Sequence, residues 1–419
     1  MSPLRIIVTG LIAQHPHMGG VAWDYVQYPV GLRLLGHDVY YFEDSGEWPY
    51  NLDGGESGDD WVSRTPLVNL QHLSRIMTRF GLGDRWAYRF PLDDTWHGLS
   101  ESRRREVLAS ADLVINISGT LEHPERYRSA SRMAYIDSDP LFTQIKLLQK
   151  KPEFISRVDV HDAHFSFGEL FSDAMPVTGH RWLPTRHPMV IDEWSGNAPF
   201  REVYSTIMNW TSYEPIAHEG RFYGQKDIEF RKFLHLPEHV APAKLEVALA
   251  NTEHINWQAD AGESPADVKN NVRISPAEIL RRTGWNVVDP ELLCGGLDEY
   301  RDYIISSKAE WSVAKNGYVQ GRPGWFSCRS CCYLAAGRPV IVQDTGFREV
   351  IPTGEGVLAF SDFDEAVDGI REVESDYPRH AGAAREIAAA YFDSGRVLTS
   401  LVERVMEPLP NCLADSVAS

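Results

Sequence analysis

Short apolar runs alternate along the chain with segments whose apolar residues recur at helical spacing. The run 5–10 is rich in β-branched residues and ends in glycine, which predicts a buried parallel strand. Residues 21–35 then carry apolar side chains at the spacing of one helix face, and the run 37–42 predicts a second strand. The chain therefore begins with a strand–loop–helix–strand unit, which favours a doubly wound α/β domain.

The alternation continues on both sides of a turn-rich segment, 183–199, where Pro and Gly are frequent. Further strands are predicted at 112–117, 132–136, 164–168, 203–208, 245–249, 284–289 and 311–315, and helices at 100–111, 140–150, 300–307 and 384–406. We therefore predict two domains, 1–195 and 196–390, followed by a C-terminal helix and tail, 391–419. The polar stretch 251–282 is predicted to be a long loop, and 408–419 to be disordered.

Length and charge restrict the class of protein. A chain of 419 residues is longer than one hydrophobic core usually organises. Asp and Glu outnumber Lys and Arg by 59 to 41, a net charge of -18, which disfavours nucleic acid and anionic membrane surfaces as partners. No apolar stretch is long enough to span a membrane, and the run 5–10 is too short for a signal peptide. With five Cys, an odd number, a disulfide framework is not expected, and we predict a cytoplasmic protein.

A glycine pair lies where the first loop enters the first helix. The N–H groups at a helix N-terminus lack partners and carry partial positive charge, and Gly19 and Gly20 would let a phosphate approach them closely. A tight turn without a ligand is an equally good interpretation of the two glycines alone.

A second candidate phosphate site lies in the stretch 324–346, where a glycine-led loop opens into a helix that ends near Gly337. Ser327, Arg329 and Ser330 would lie at the start of that helix. Hydroxyls, backbone N–H groups and a guanidinium together suit a diphosphate. Ordinary N-capping by either serine is the competing interpretation.

Taken together, these segments resemble the GT-B nucleotide-sugar glycosyltransferases, in particular the family-four pattern and an uncharacterised bacterial branch. The resemblance rests on the glycine pair followed by Gly36-His37-Asp38-Val39, on Leu334-Ala-Ala-Gly-Arg-Pro-Val340 and on Gly354-Glu-Gly-Val-Leu358. It implies two Rossmann-like, doubly wound parallel-sheet domains facing across a cleft. The first domain would hold the acceptor and the second the nucleotide-sugar donor, with the last helix crossing back to the first domain.

The resemblance also implies which residues hold the donor. Arg221 and Lys226 match the spacing of an Arg and a Lys that bind the diphosphate in many relatives. They would act with Ser327, Arg329 and Ser330, and we expect Thr345 and Gly346, just after the next predicted strand, to complete the site. Solvated charges flanking a helix start are the alternative interpretation of Arg221 and Lys226.

One departure from the family is clear. Many retaining relatives carry two glutamates in the second domain, and the corresponding positions here are Gly324 and Cys332. Neither residue can replace a carboxylate. Inversion and retention therefore both stay open.

Two histidines and two aspartates are candidates for catalysis. Inverting relatives place a catalytic His in the first loop, so the resemblance implies His15 or His17 as general base, and Asp24 could orient it. A loop His that packs or binds substrate, and an Asp24 on the solvated helix face, are the alternatives. Asp137, at the end of a predicted strand, could bind or deprotonate the acceptor, as could Asp139. Both aspartates could instead be turn and helix-cap residues before a proline.

The sequence thus predicts a metal-independent glycosyltransferase, a hexosyltransferase by expectation, with no cofactor besides its nucleotide-sugar donor. The donor base, with UDP among the candidates, and the acceptor, a small molecule or glycan, stay open. A GT-B epimerase or hydrolase and an inactive sugar-nucleotide-binding protein are the alternatives. The first loop lacks the G-x-G-x-x-G turn of dinucleotide-dependent oxidoreductases. Cys328, Cys331 and Cys332 lack a second ligand pair for zinc and are expected in the core.

Overall fold

The computed structural model describes residues 2–51, 62–149, 151–171, 175–196, 198–250 and 275–407. Within them the first half of the chain builds one eight-stranded sheet in the order β4-β3-β2-β1-β5-β6-β7-β8, parallel except where β4 pairs antiparallel with β3. Its strands are β1 Arg5–Thr9, β2 Asp38–Glu43, β3 Trp86–Arg89, β4 Trp96–Gly98, β5 Leu113–Ile117, β6 Arg132–Asp137, β7 Ala163–Ser166 and β8 Trp182–Pro184.

The second half builds a parallel sheet of six described strands, in the order β13-β12-β9-β14-β15-β16, and a separate antiparallel hairpin, β10-β11. The strands are β9 Arg201–Asn209, β10 Ile216–His218, β11 Arg221–Tyr223, β12 Lys244–Ala250, β13 Asn286–Val288, β14 Ser307–Ser312, β15 Val340–Gln343 and β16 Val357–Phe360. In both sheets the strand order reverses next to the first strand of the sheet, which is where ligands bind in open α/β sheets. Residue 195 lies in the connection between the two sheets.

Helices connect most of the strands. The α-helices of the described residues are Gly19–Leu34, Leu67–Arg79, Glu101–Ala109, Phe142–Leu148, Pro152–Asp159, Lys226–Phe230, Leu236–Val240, Pro276–Arg282, Pro290–Cys294, Leu297–Ser306, Asn316–Gly321, Cys328–Ala335, Phe363–Ser375, Tyr377–Ile387 and Ser394–Met406.

The apolar runs form the centres of the two sheets because their side chains are covered on both faces. The residues of β5 are all buried, and so are those of β14 and β15. The Cys328–Ala335 helix is buried along its whole length. A parallel strand covered on both faces needs apolar residues at successive positions, which is the pattern the sequence shows.

The two halves pack closely against each other. The indole Nε1 of Trp23 donates to the carbonyl of Leu297 at 2.8 Å, so the first helix of the first sheet lies against the Leu297–Ser306 helix. The Ser394–Met406 helix returns to the first half, where a Cβ at Gly31 would lie 2.6 Å from Leu398 and 2.8 Å from Ser394. The last helix therefore joins the layer that covers the first sheet.

The predicted α/β class with two doubly wound sheets is confirmed. Two local predictions are wrong. Residues 276–282, predicted as part of a loop, form a helix. The strand predicted at 311–315 is β14 and ends at Ser312, because the chain turns there toward the Asn316–Gly321 helix. Most of the predicted loop, 251–274, and the predicted disordered tail, 408–419, lie outside the described residues.

Candidate donor site

The Cys328–Ala335 helix begins at the wall of a cavity. Ser327 is the N-cap residue, but its side chain makes no capping hydrogen bond. The first N–H groups of the helix are therefore not satisfied by a serine hydroxyl, contrary to the capping interpretation. The cavity is narrow, about 10 Å³, and is lined by Ser312, Val313, Ala314, Trp325, Phe326, Ser327, Arg329, Ser330, Val342, Gln343, Thr345 and Phe347.

Lys226 is the first residue of the short Lys226–Phe230 helix and lies within the electrostatic influence of Arg329, although it does not line the cavity. Its side chain is half-buried, and the described residues offer its ammonium no hydrogen bond or ion pair. Burial, with help from the positive charge of Arg329, holds the pKa of Lys226 well below its usual range, while Glu310 acts in the opposite direction. A cation in this state gains from any anion that enters the cavity.

Arg329 is held from behind by a buried carboxylate. Its Nε donates to Oε1 of Glu310 at 2.6 Å, and one terminal nitrogen donates to the carbonyl of Ile207 at 2.7 Å. Glu310 is fully buried, and among the described residues its second oxygen, Oε2, has no hydrogen-bond partner. Arg329 also lines the cavity, so its position is fixed by protein on one side and open to a ligand on the other.

The remaining predicted donor residues divide into two groups. Ser330 and Thr345 are buried and line the cavity, and the Thr345 hydroxyl donates to the carbonyl of Trp325. Gly346 has a φ of +94° and closes the turn after β15, next to the carbonyl of Arg322. Gly346 therefore shapes the loop beside the cavity and is not part of its wall.

Arg221 lies elsewhere. It belongs to strand β11 of the exposed hairpin, and its side chain points into solvent. The structure does not place it in the wall of the cavity with Arg329. Arg221 begins β11 and Lys226 begins the next helix, so the two residues lie on different elements, and a donor contact of Arg221 stays a prediction.

Gly19 and Gly20 are packed against the second half of the chain. A Cβ at Gly19 would lie 2.7 Å from Cβ of Tyr300 and 2.8 Å from the carbonyl oxygen of Cys294, and one at Gly20 would lie 2.9 Å from the Tyr300 ring. Protein atoms fill the space that a phosphate would need at Gly19. In this structure the two glycines permit close packing of helices, and phosphate binding by the pair stays a prediction.

The two loop histidines lie in different surroundings. The half-buried ring of His15 stacks on Tyr50 with centroids 5.0 Å apart, and burial lowers the pKa of His15 to about 4. His17 lies beside His72, and its carbonyl would be 3.5 Å from a Cβ at Gly295 in the second half of the chain. His15 is thus neutral near pH 7 and a weak base in this conformation.

Asp137 is a structural carboxylate. Its oxygens accept from Oγ1 of Thr143 at 2.7 Å, from Nε2 of Gln144 at 2.9 Å and from Oγ of Ser166 at 2.9 Å. The residue is buried, and the backbone N–H of Asp139 donates to it at 3.0 Å. These four bonds occupy the carboxylate and favour the turn and cap interpretation, while a catalytic role for Asp137 stays an untested prediction.

Asp24 faces the second half of the chain and does not contact either predicted histidine. Its side chain lies close to the thiol of Cys328 and within the electrostatic influence of Arg329. Solvent reaches part of Asp24, but the neighbouring protein desolvates its carboxylate and raises the pKa of Asp24 to about 6. A first-domain carboxylate thus stands beside the start of the Cys328–Ala335 helix.

Solved structures share this architecture. An alpha-glucosyltransferase in complex with UDP and a 13-mer DNA containing a central A:G mismatch is 13% identical, with 96% of this chain and 99% of that chain covered and a TM-score of 0.56. Anabaena Alr3699/HepE in complex with UDP and glucose is 9% identical, with 95% and 98% covered and a TM-score of 0.53. The chain has the GT-B fold. Its sequence matches no protein-family model and no curated protein sequence.

The GT-B arrangement explains which site residues sequence reasoning missed. Glu310 lies inside β14 between Ala309 and Trp311, and an acidic residue in a strand predicted to be buried was a signal that a cation faces it. Asp24 was considered as a partner of a histidine, because its neighbour Cys328 is distant in sequence. In this GT-B fold Asp24 and Cys328 lie next to each other, where the first and second halves of the chain pack together.

No described helix is both long enough and apolar enough to cross a membrane. No three His, Cys, Asp or Glu side chains among the described residues are arranged to hold a metal ion. Cys331 and Cys332 are fully buried in the core, as expected for small apolar residues, and Cys328 is buried next to Asp24.

Proposed function

We propose that this protein is a glycosyltransferase that takes its sugar from a nucleoside diphosphate donor. The observation that carries the proposal is the uncapped start of the Cys328–Ala335 helix, with Lys226 and Arg329 beside it. The UDP complexes of the alpha-glucosyltransferase and of Alr3699/HepE support UDP as the first nucleotide to test. The shared fold adds only that the second domain is the half in which a donor would be expected.

The proposed chemistry follows from the charges in the cavity. The bond between the anomeric carbon and the diphosphate oxygen breaks, and negative charge develops on the leaving phosphate. Lys226, the free edge of Arg329 and the backbone N–H groups at the helix start would stabilise that charge. Hydrogen bonds between charged groups are about twice as strong as neutral ones, and preorganised donors cost little reorganisation.

The acceptor hydroxyl forms the new bond to the anomeric carbon and loses its proton. Asp24 is the residue that we propose to test first as proton acceptor, because it is exposed beside Cys328 and its raised pKa, about 6, is close to a working pH. His17 remains a second proposal from its loop position. If Asp24 acts as the base, turnover rises with pH through about 6, and Asp24→Asn removes that rise while UDP still binds.

The test of the proposed function is direct. UDP, GDP, ADP, dTDP and CMP are compared by thermal shift and then by calorimetry, because a ligand that binds the native state raises its melting temperature. We expect a shift with one diphosphate, followed by release of that nucleotide from its sugar conjugate when a glycan or small-molecule acceptor is present. No shift with any of the five, in a folded sample, contradicts the proposal.

Two outcomes of the turnover assay favour the alternatives. Nucleotide binding without turnover would indicate a sugar-nucleotide-binding protein, and isomerisation or hydrolysis without an acceptor would indicate an epimerase or hydrolase. The DNA in one neighbour's complex belongs to that protein, and the net charge of -18 here disfavours a nucleic-acid acceptor. The independence from metal ions that we propose is tested by turnover in the presence of a chelator.

A further inference from the structure

A carboxylate of the first domain is held by three side chains of the second. Asp139, just after β6, accepts from Nζ of Lys315 at 2.8 Å and from the hydroxyls of Tyr213 and Tyr318. The side chains of Asp139 and Lys315 are only 22% and 18% exposed. Because the pair is mostly buried, removing one partner leaves the other charge uncompensated and costs more than breaking a surface ion pair.

The ammonium of Lys315 also lies within an aromatic cage. It is 4.7 Å from the ring centroid of Tyr213, 5.2 Å from that of Phe142 and 5.3 Å from that of Tyr318. Phe142 belongs to the first domain and the two tyrosines to the second. The cage is therefore complete only while the domains touch, and cation–π attraction adds to the ion pair.

An apolar cluster surrounds the charged pair. Leu141, Phe142 and Ile145 of the first domain pack with Tyr223 and Tyr318 of the second. Gly317 lacks a side chain where the Phe142 ring approaches, so the ring fits against the backbone of the second domain. The contact is thus shaped on both sides and not a chance approach of two charged loops.

This contact adjoins the candidate donor site through the backbone. The N–H of Asn316 donates to the carbonyl of Gln225 at 3.3 Å, and that of Gly317 donates to the carbonyl of Gly224 at 3.1 Å. Lys226 follows directly, and the positive charge of Lys315 also contributes to lowering its pKa. The position of Lys315 is therefore tied to the segment that presents Lys226.

We propose that Asp139 is a positioning residue that closes the first domain over the donor site by holding Lys315. The proposal rests on the proposed function only in naming the ligand of that site. In the closed arrangement Asp139 neutralises Lys315, the Phe142 cage is complete, and the Lys226 segment is fixed for the nucleotide. Loss of the ion pair shifts the population toward an arrangement in which the two domains are apart. UDP then binds more weakly, because part of its binding free energy is used to bring the domains together.

The experiment compares Asp139→Asn with the wild type, first without nucleotide. We expect amide hydrogen exchange to become roughly tenfold faster in both the Phe142–Leu148 helix and the β10-β11 hairpin, and the radius of gyration to rise. UDP affinity should fall about threefold to tenfold. Lys315→Met should give the same changes, and the double variant should be no worse than either single one, since the two residues act as a pair.

Two controls make the test specific. Arg79 joins the domains through an ion pair with the exposed Asp298, so Arg79→Ala should change exchange by less than about twofold. Lys315→Arg keeps the charge and should restore most of the protection that Lys315→Met loses. Unchanged exchange at both segments in folded Asp139→Asn and Lys315→Met proteins overturns the proposal. Failure of the wild type to bind UDP contradicts the proposed function instead, and the exchange measurement without nucleotide is unaffected by it.

Discussion

Two helix starts in this protein, at Gly19 and at Cys328, look alike in sequence and differ in their surroundings. Each follows a loop with glycine, and each was expected to bind phosphate. The start at Gly19 is covered by Tyr300 and by the backbone around Cys294, whereas the start at Cys328 is uncapped and lines a cavity. The comparison teaches that small residues at a helix N-terminus can leave room either for a ligand or for a neighbouring helix. Which of the two applies depends on what packs against the helix start.

The largest expected effect concerns the Cys328 helix start. Arg329→Ala leaves Glu310 buried without its cation, and breaking a buried pair in this way costs about 3–5 kcal/mol of stability. Urea unfolding measures the loss, and UDP titration of the folded fraction should show weaker binding as well. Arg371→Ala is the matched control, because the ion pair of Arg371 with Asp368 is largely exposed and its loss should cost less than about 1 kcal/mol. Equal stability of Arg329→Ala and the control would show that the pair does not support the site.

The second prediction separates binding from stability. Lys226→Met should weaken UDP binding about 10-fold to 100-fold, because it removes one charge-assisted hydrogen bond or ion pair to phosphate. Because burial lowers the pKa of Lys226 in the folded state, the charged lysine opposes folding at neutral pH. The variant should therefore melt at an equal or higher temperature than the wild type. Calorimetry with UDP and a thermal scan check the two effects.

Lys244, exposed at the beginning of β12, provides the control for that experiment. Lys244→Met removes the same charge at the opposite edge of the sheet and should leave UDP affinity within about twofold. Similar weakening in both variants would indicate a general charge effect and contradict a specific phosphate contact at Lys226.

The third prediction tests the Gly19 side of the comparison. Gly19→Ala places a Cβ against the backbone around Cys294, which must move, so we expect about 1–3 kcal/mol of destabilisation. Gly382→Ala is a favourable control, since nothing lies within 4 Å of its Cβ position in the Tyr377–Ile387 helix, and alanine should stabilise that helix by up to about 1 kcal/mol. Denaturant unfolding compares the two. If Gly19→Ala instead keeps full stability and loses UDP binding, the result would support phosphate binding by the glycine pair.

The sequence predicted the GT-B architecture well because the apolar runs of its buried strands are unmistakable, as in β1 and β5. It did not predict contacts between residues that are remote in the chain. The residues around Gly19 do not indicate that Tyr300 packs there, and those around Asp137 do not indicate that Ser166 and Gln144 donate to its oxygens. The short helix at Pro276–Arg282 was missed for another reason, since a helix of this length in a polar stretch shows too few apolar positions to establish a period.

The donor residues illustrate the same limit at a finer scale. Ser327, Arg329 and Ser330 could be identified because one helix start brings them together, and the structure places all three at one cavity. Their role in binding stays a prediction. Arg221 was chosen by spacing to Lys226, and spacing fails when a hairpin strand and a helix start lie between two residues.

The smallest expected effect concerns His15, which shares the first loop with the glycine pair. Burial lowers the pKa of His15 from 6.5 to about 4, so between these values the unfolded chain binds a proton that the folded protein does not. Stability therefore rises with pH from about 4 to 6.5 and is independent of this group above that range. Because the ring is only half-buried, we expect the contribution to be about 1 kcal/mol.

His15→Gln cannot be protonated, and the difference in unfolding free energy between wild type and variant should shrink by that amount as the pH falls from 7 to 4. Loss of stacking on Tyr50 affects the variant at every pH and so does not alter the slope. A difference that stays constant with pH would mean that water reaches His15 freely, which would return it to consideration as a general base.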